Sequence, residues 1–487
     1  MTSTASNGVP SAQHSGASLS FPPGFVWGAA TAAYQIEGAA HADGRGQSVW
    51  DTFSHTPGKV RRGDTGDIAC DAYHRYPEDV ALMKSLGLNA YRFSISWPRI
   101  QPGGSGAGNQ KGLDYYRALL DELAAHDIAP AATLFHWDLP QELQDAGGWA
   151  NRDTALRFAD YAAIVIEALG DRVARWITLN EPQVVAENGY RIGHHAPGLT
   201  DYPAAAATNH HLLLGHGLAA QVLRAGGATD VGITLDMHPV RVIAAVDGHG
   251  ADEQGSKEVE QARRIVDANL NGLYLQPLLQ GSYPADASAK IAPPQALIKD
   301  GDLATINQPL DFLGINYYAP IILRSGDPDD LRRNEHRIRG GVPGVVGYSP
   351  ETLERTPMGW LIDPEGLYEL LLRLSQDAPG LPLYVTENGC AAEDYVDPDG
   401  SVNDVERISY LHQHLDACAR AIKDGVNLAG YYVWSLLDNF EWGWGYQKRF
   451  GIVFVDFGTQ RRIPKSSAHF YSDVIKANAL PALAGSE

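Results

Sequence analysis

Runs of residues that stay apolar from end to end, each separated from the next by a segment of helical period, leave a chain few ways to fold. Here the runs are FVWGAATAAYQ (25–35), LNAYRFSISW (88–97), IAPAATLFHW (128–137), VARWITLN (173–180), VGITLDMHP (231–239), FLGINYY (312–318), LPLYVTEN (381–388) and LAGYYVWSLL (428–437). A strand without a polar face has to be covered on both sides, the condition of a parallel sheet flanked by helices. Helical segments between them include YPEDVALMKSL (76–86), DYYRALLDELAAH (114–126) and TALRFADYAAIVIEAL (154–169). The longest is VERISYLHQHLDACARAIKDG (405–425), with Gly425 placed to cap its C-terminus. Eight such units predict an α/β fold: a single (β/α)8 TIM barrel with long βα loops at the active-site face. The rival, an open doubly wound sheet, lacks its mark, since no GxGxxG opens a helix after the first strand.

One domain is expected: a disordered, small-residue tail over 1–18, the barrel over 19–478 and a C-terminal tail over 479–487. The segment 321–357, rich in charge, Pro and Gly, reads as a long surface loop. A formal charge of −20 repels phosphate backbones and anionic lipid, which argues against nucleic acid or membrane as partner and for a small neutral one. No stretch approaches the roughly 20 apolar residues of a membrane span. The three cysteines, Cys70, Cys390 and Cys418, form no CxxC and read as free thiols of a reducing compartment. With no basic n-region or apolar h-region in the tail, the protein is expected to be cytoplasmic.

The C-terminal ends of barrel strands face the active-site mouth. Those ends read Tyr34-Gln35, His136-Trp137, Asn180-Glu181, Asp236, Asn316-Tyr317-Tyr318, Glu387-Asn388 and Trp434. Amides and carboxylates offer directional hydrogen bonds to hydroxyls, and indoles offer flat platforms for sugar C–H faces. Two ends carry a glutamate in the same relative place, Glu181 of TLNEP and Glu387 of VTENG. Glycoside hydrolysis needs such a pair, one carboxyl protonated to release the leaving group and one ionised. Pro182 restricts Glu181, because a residue before proline is kept out of the α region. Metal-dependent hydrolysis has less support: His194-His195 and His210-His211 are adjacent pairs that read as surface or packing residues, and no HExxH occurs. No metal or cofactor is expected.

The chain resembles the family 1 glycoside hydrolases, the β-glucosidase/β-galactosidase group of retaining (β/α)8 enzymes. The resemblance runs from about residue 20 to 475 and rests on ordered motifs. These are FVWGAATAAYQIEG (25–38), YRFSISWPRI (91–100), LFHWDLP (134–140), TLNEP (178–182), GINYY (314–318), MGW (358–360), YVTENG (384–389) and VWSLLDNFEWGWGYQKRFGI (433–452). It implies Glu181 as general acid/base and Glu387 as nucleophile, with Tyr318 hydrogen-bonding the nucleophile and Arg92 close to it. It implies sugar contacts from Gln35, His136, Trp137, Asn180, Asn316, Glu441, Trp442 and Phe450, Trp434 as a stacking floor and Trp360 on the aglycone side. The carboxyl groups are then expected about 5–5.5 Å apart. An acid at Glu441 and Gln447 nearby argue against the 6-phosphosugar relatives; an acid at Glu181 argues against the thioglucosidases. The expected activity is hydrolysis of terminal β-D-glucosyl, and also galactosyl or fucosyl, residues, with a transglycosylating member or a non-hydrolytic sugar-binding barrel as the alternatives. One departure stands out: Asp236, where many members carry Asn. It either faces the catalytic pair or points away.

Overall fold

The computed structural model describes residues 19–243, 253–327, 329 and 341–481. Each of the eight apolar runs supplies one strand of a closed parallel barrel. The strands are β1 Val26–Ala30, β2 Ala90–Ser94, β3 Ala129–Phe135, β4 Arg175–Asn180, β5 Val231–Asp236, β6 Phe312–Asn316, β7 Leu383–Asn388 and β8 Leu428–Trp434. Each pairs with its successor, and β8 closes on β1 from Gly430↔Val26 to Trp434↔Ala30. The first run leaves the sheet earlier than its length suggests, so Tyr34 and Gln35 sit in a one-turn helix, Ala33–Ile36, just past the strand.

Strand side chains alternate between two cores. Outward residues such as Leu134, Leu179, Ile233, Ile315, Val385 and Val433 pack with the helix layer. Inward residues fill the barrel: Ala30, Ala90, Ala131, Ile177, Phe312, Tyr384 and Tyr432 form one cluster. At the N-terminal end Arg175 plugs it, with its guanidinium 3.8 Å from the Tyr384 ring centroid and an ion pair to Asp230 at 2.7 Å. Higher up, Gly314 leaves room for Thr234 and Thr386, whose hydroxyls are 3.2 Å apart. Thr386 Oγ1 in turn donates to Asn316 Oδ1 at 2.8 Å, so the small layer supports the polar mouth.

Three expectations are corrected. The longest helix is Tyr202–Ala225, at 24 residues, against 19 for Val405–Lys423. Its Ala-, His- and Leu-rich stretch is buried on nearly every face, so it has no polar stripe to betray it. Gly425 does follow the Val405–Lys423 helix in the left-handed region (φ 98). Segment 321–357 is more than a loop: Ile321–Ser325 pairs antiparallel with Val345–Gly347 and parallel with Val240–Val242. Leu323, Val342 and Val345 bury a small core of their own there, while 328 and 330–340 lie outside the described residues. Finally, Ala479–Leu480 is not tail but a short strand paired with Leu19–Ser20; the expected tail segments 1–18 and 482–487 lie outside the described residues.

A methyl group on Gly314 would overlap Thr234 Oγ1 and stand 2.9 Å from Thr386 Cγ2. Gly314→Ala is therefore expected to cost about 1–3 kcal/mol by overpacking. Its thermal midpoint should fall by a few degrees in a calorimetric scan.

Candidate active site

The mouth of the barrel is built on backbone that ordinary residues avoid. Trp137 (φ 79), Glu181 (φ 50) and Trp442 (φ 47) all lie in the left-handed region, a cost of about 1–3 kcal/mol each that persists only where surroundings impose it. Glu181 thus escapes the right-handed α region, as its place before Pro182 requires, but by turning left-handed and not extended. Its N–H donates to Thr234 O at 3.0 Å while Pro182 opens a helical turn.

The two glutamates share one buried lattice. Arg92, fully buried, donates through Nη1 to Glu387 Oε1 and through Nη2 to Asn180 Oδ1 at 2.6 Å. Asn316 Nδ2 donates to Glu181 Oε1 at 2.6 Å and to the same Asn180 Oδ1 at 3.1 Å. Tyr318 Oη donates to the other oxygen of Glu387, Oε2, at 2.7 Å. Their proton affinities consequently diverge. Burial, the Glu387 charge and the Asp236 charge hold Glu181 well above the usual carboxylate range. Burial raises Glu387 too, but the Arg92 charge and the Tyr318 hydroxyl oppose it. The first proton therefore belongs to Glu181.

Around the pair, the cleft encloses about 600 Å³, within the usual size of a ligand site. His136, Trp137, Trp434, Glu441 and Trp442 line one side, and Tyr318, Trp360 and Phe450 another. The indoles pack into walls: Trp137 and Trp442 have centroids 4.5 Å apart, and Trp360 lies 5.3 Å from Tyr318 and 5.9 Å from Phe450. Arg92, Asn180, Asn316 and Gln35 stand behind this lining, all with 0% exposure. Gln35 is pinned by Nε2 to Asn439 Oδ1 at 2.9 Å and Phe440 O at 2.8 Å. Asn180 Nδ2 donates to His136 Nε2 at 3.0 Å, so the ring proton sits on Nδ1; burial and Arg92 keep this imidazole neutral. Gln35 Oε1, His136 Nδ1 and Glu441 Oε2 are buried without a hydrogen-bond partner among the described residues. Such atoms are costly unless a ligand's hydroxyls complete them. Burial and the Glu387 charge push Glu441 up to about 8.

Asp236 faces the pair: it lines the cleft and its charge acts on Glu181. His210 and His211 are packing residues, bonded to Asp302 and Trp149 O. His195 is also packed, its ring 5.3 Å from Trp137, but with His194 it lines the cleft. Sequence reasoning did not find His238, Tyr348 or Met358 in the cleft wall. They come from loops beyond the strand ends, which carry no periodic signal. No group of three or more His, Cys, Asp or Glu among the described residues could hold a metal ion, and no described helix is long and apolar enough to cross a membrane.

A closed parallel barrel whose mouth sets two buried carboxyl groups of unequal proton affinity among indoles and amides is the architecture of the barrel glycosidases. The chain belongs to glycosyl hydrolase family 1, whose sequence model matches residues 17–480. It is 52% identical over 476 residues to the thermostable β-glucosidase B of Thermobispora bispora, covering 97% of this chain and 94% of that protein. It is 44% identical to a bifunctional β-D-glucosidase/β-D-fucosidase of Bifidobacterium breve, over 93% of this chain and 97% of that one. In structure it is similar to the β-glucosidase of Thermotoga maritima in complex with deoxynojirimycin, with a TM-score of 0.85 at 43% identity across 95% of this chain and 99% of that chain.

Because the Glu387 charge raises Glu181, removing it should lower the proton affinity of Glu181. In Glu387→Gln, a 13C-carboxyl NMR titration of Glu181 is expected to show a midpoint at least about one unit lower than in the native protein.

Proposed function

We propose that the protein is a retaining β-glucosidase. It releases terminal non-reducing β-D-glucosyl residues, and fucosyl or galactosyl ones, from oligosaccharides and from aryl or alkyl glycosides. The observation that carries this reading is the unequal environment of two carboxyl groups in one cleft, Glu387 bonded to Arg92 and Tyr318, Glu181 buried beside that anion. In the first step a Glu387 oxygen attacks the anomeric carbon as Glu181 protonates the departing glycosidic oxygen. The bond to the aglycone breaks and a glycosyl-enzyme ester forms. Glu387 is then neutral, the repulsion that held the Glu181 proton is gone, and Glu181 leaves this step ionised. It takes a proton from water as that water attacks the anomeric carbon, and Glu387 departs as carboxylate.

The orphaned Gln35 Oε1, His136 Nδ1 and Glu441 Oε2 support a hydroxyl-rich glycone, and Trp434 and Trp442 support its C–H face. The proposed setting is the release of glucose from β-glucan fragments, as in cellulose breakdown, inside the cytoplasm. Three free, buried thiols fit a reducing compartment.

Initial rates on p-nitrophenyl β-glucoside, galactoside, fucoside and 6-phosphoglucoside test the reading. Activity should favour the neutral glycosides and disappear in Glu387→Ala. Glu181→Ala should lose at least about 100-fold on alkyl glucosides but far less on aryl glucosides, whose leaving group needs no proton. Equal losses on both would overturn the acid role. Tyr318→Phe removes a donor that favours ionised Glu387, so Glu387 keeps its proton to higher pH. The acid limb of kcat/KM is expected to move upward, and an unmoved limb would contradict the assignment.

A further inference from the structure

The last residue of β5 and a residue just past it form a pair that the reaction just described does not use. Asp236 Oδ2 and His238 Nε2 are 3.0 Å apart, and both side chains line the cleft, 17% and 19% exposed. The other ring nitrogen of His238, Nδ1, lies 2.8 Å from Ala319 O. A carbonyl only accepts, so Nδ1 carries a proton, and Nε2 and the carboxylate can meet only by sharing another. Asp236 and His238 therefore hold one proton between them and are together neutral while they keep it. The pair is fixed in place. Asp236 is in register with Asn316, the residue that donates to Glu181, and Gln183 Nε2 donates to Asp236 O at 2.5 Å. Asn271 brackets His238, accepting from its N–H at 3.2 Å and donating to its carbonyl at 2.8 Å.

We propose that Asp236 and His238 are positioning residues for the acid/base step: a one-proton dyad that sets a charge-compensated carboxylate beside Glu181 and thereby governs how far into alkaline pH Glu181 keeps its proton. The groups facing the dyad allow this. Glu181 and Glu387 line the same cleft with Arg92 behind them, and Tyr318 is on the loop that carries Ala319. Asp267, reached through Asn271, is neutralised by Arg373 at 2.6 Å, and Glu187 is paired with Arg191. His136, His194, His195, Tyr348 and Glu441 also line the wall. The Asp236 charge is felt at Glu181, and the imidazole beside it compensates that charge. The two members therefore pull in opposite directions. Removing the carboxylate loosens the Glu181 proton; removing the imidazole bares the carboxylate and tightens it.

The inference rests on Glu181 being the acid/base, and the test separates the two. kcat/KM against pH is measured for the native enzyme, Asp236→Asn and His238→Gln, on methyl β-glucoside, whose leaving group needs the proton. Both substitutions keep a hydrogen bond between the positions while changing the charge. The alkaline limb is expected to move down in Asp236→Asn and up in His238→Gln, each by roughly half a pH unit or more. Limbs that stay in place, or move in the same direction, overturn the dyad, since a merely structural pair would lower the rate without opposed shifts. Glu181→Ala is run on methyl and p-nitrophenyl β-glucosides alongside. Equal losses there would locate the failure in the acid/base reading, not in the dyad.

Discussion

One buried cation organises this protein. Arg92 has no exposure and touches Glu387, Asn180 and the Thr386 carbonyl. A guanidinium in that position costs several kcal/mol unless an anion compensates it. Glu387 supplies one negative charge, and a second ionised carboxylate at Glu181 would leave the site with an excess that low dielectric does not tolerate. One cation and two acids leave room for one proton, and the contacts decide which acid holds it. The unequal proton affinity of the two acids thus follows from charge balance around a single side chain, with Asn180 and Asn316 relaying the geometry between them.

A second cluster does for the loop that carries Glu441 and Trp442 into the cleft wall what Arg92 does for the glutamates. Asp438, fully buried, accepts from Lys465 at 2.7 Å, Arg449 at 2.6 Å and the Gly451 N–H at 3.0 Å. Its own N–H donates to Val453 O at 2.9 Å. Asp438 therefore holds both ends of the stretch that carries Glu441, Trp442 and Phe450. Lys465 reaches on to Asp394 at 2.6 Å, and Arg407 joins Asp394 at 2.8 Å, tying in the loop after β7. Removing one member of such a buried network costs about 3–5 kcal/mol, far more than a surface pair, so these mouth loops are held rigidly although they lie outside the sheet.

The barrel was legible because its signal is local. A strand buried on both faces must be apolar throughout, and the runs ending at Asn180, Tyr318 and Asn388 say so without reference to anything distant. The glutamates were legible because a carboxylate at the end of an apolar strand has no structural need to be there. What escaped lacked that contrast. Helix Tyr202–Ala225 is buried nearly all round, so no polar face marks it. The small sheet made by Val240–Val242, Ile321–Ser325 and Val345–Gly347 is assembled from segments far apart in the chain, in a stretch whose charges and glycines suggest a loop.

From sequence alone came the barrel, the two acids and the amides and indoles gathered at the strand ends, since residue type and spacing suffice where a strand's burial and a strand end's polarity are each local matters. Tertiary structure decided everything that depends on distance between strands. It turned Asp236 toward Glu181 and paired it with His238, put Gln35 behind the cleft surface, and buried Glu441 near the Glu387 charge, so that its carboxyl is pushed up to about 8. Proton affinity and hydrogen-bond completion are properties of neighbours, and closing the barrel is what makes residues hundreds of positions apart into neighbours.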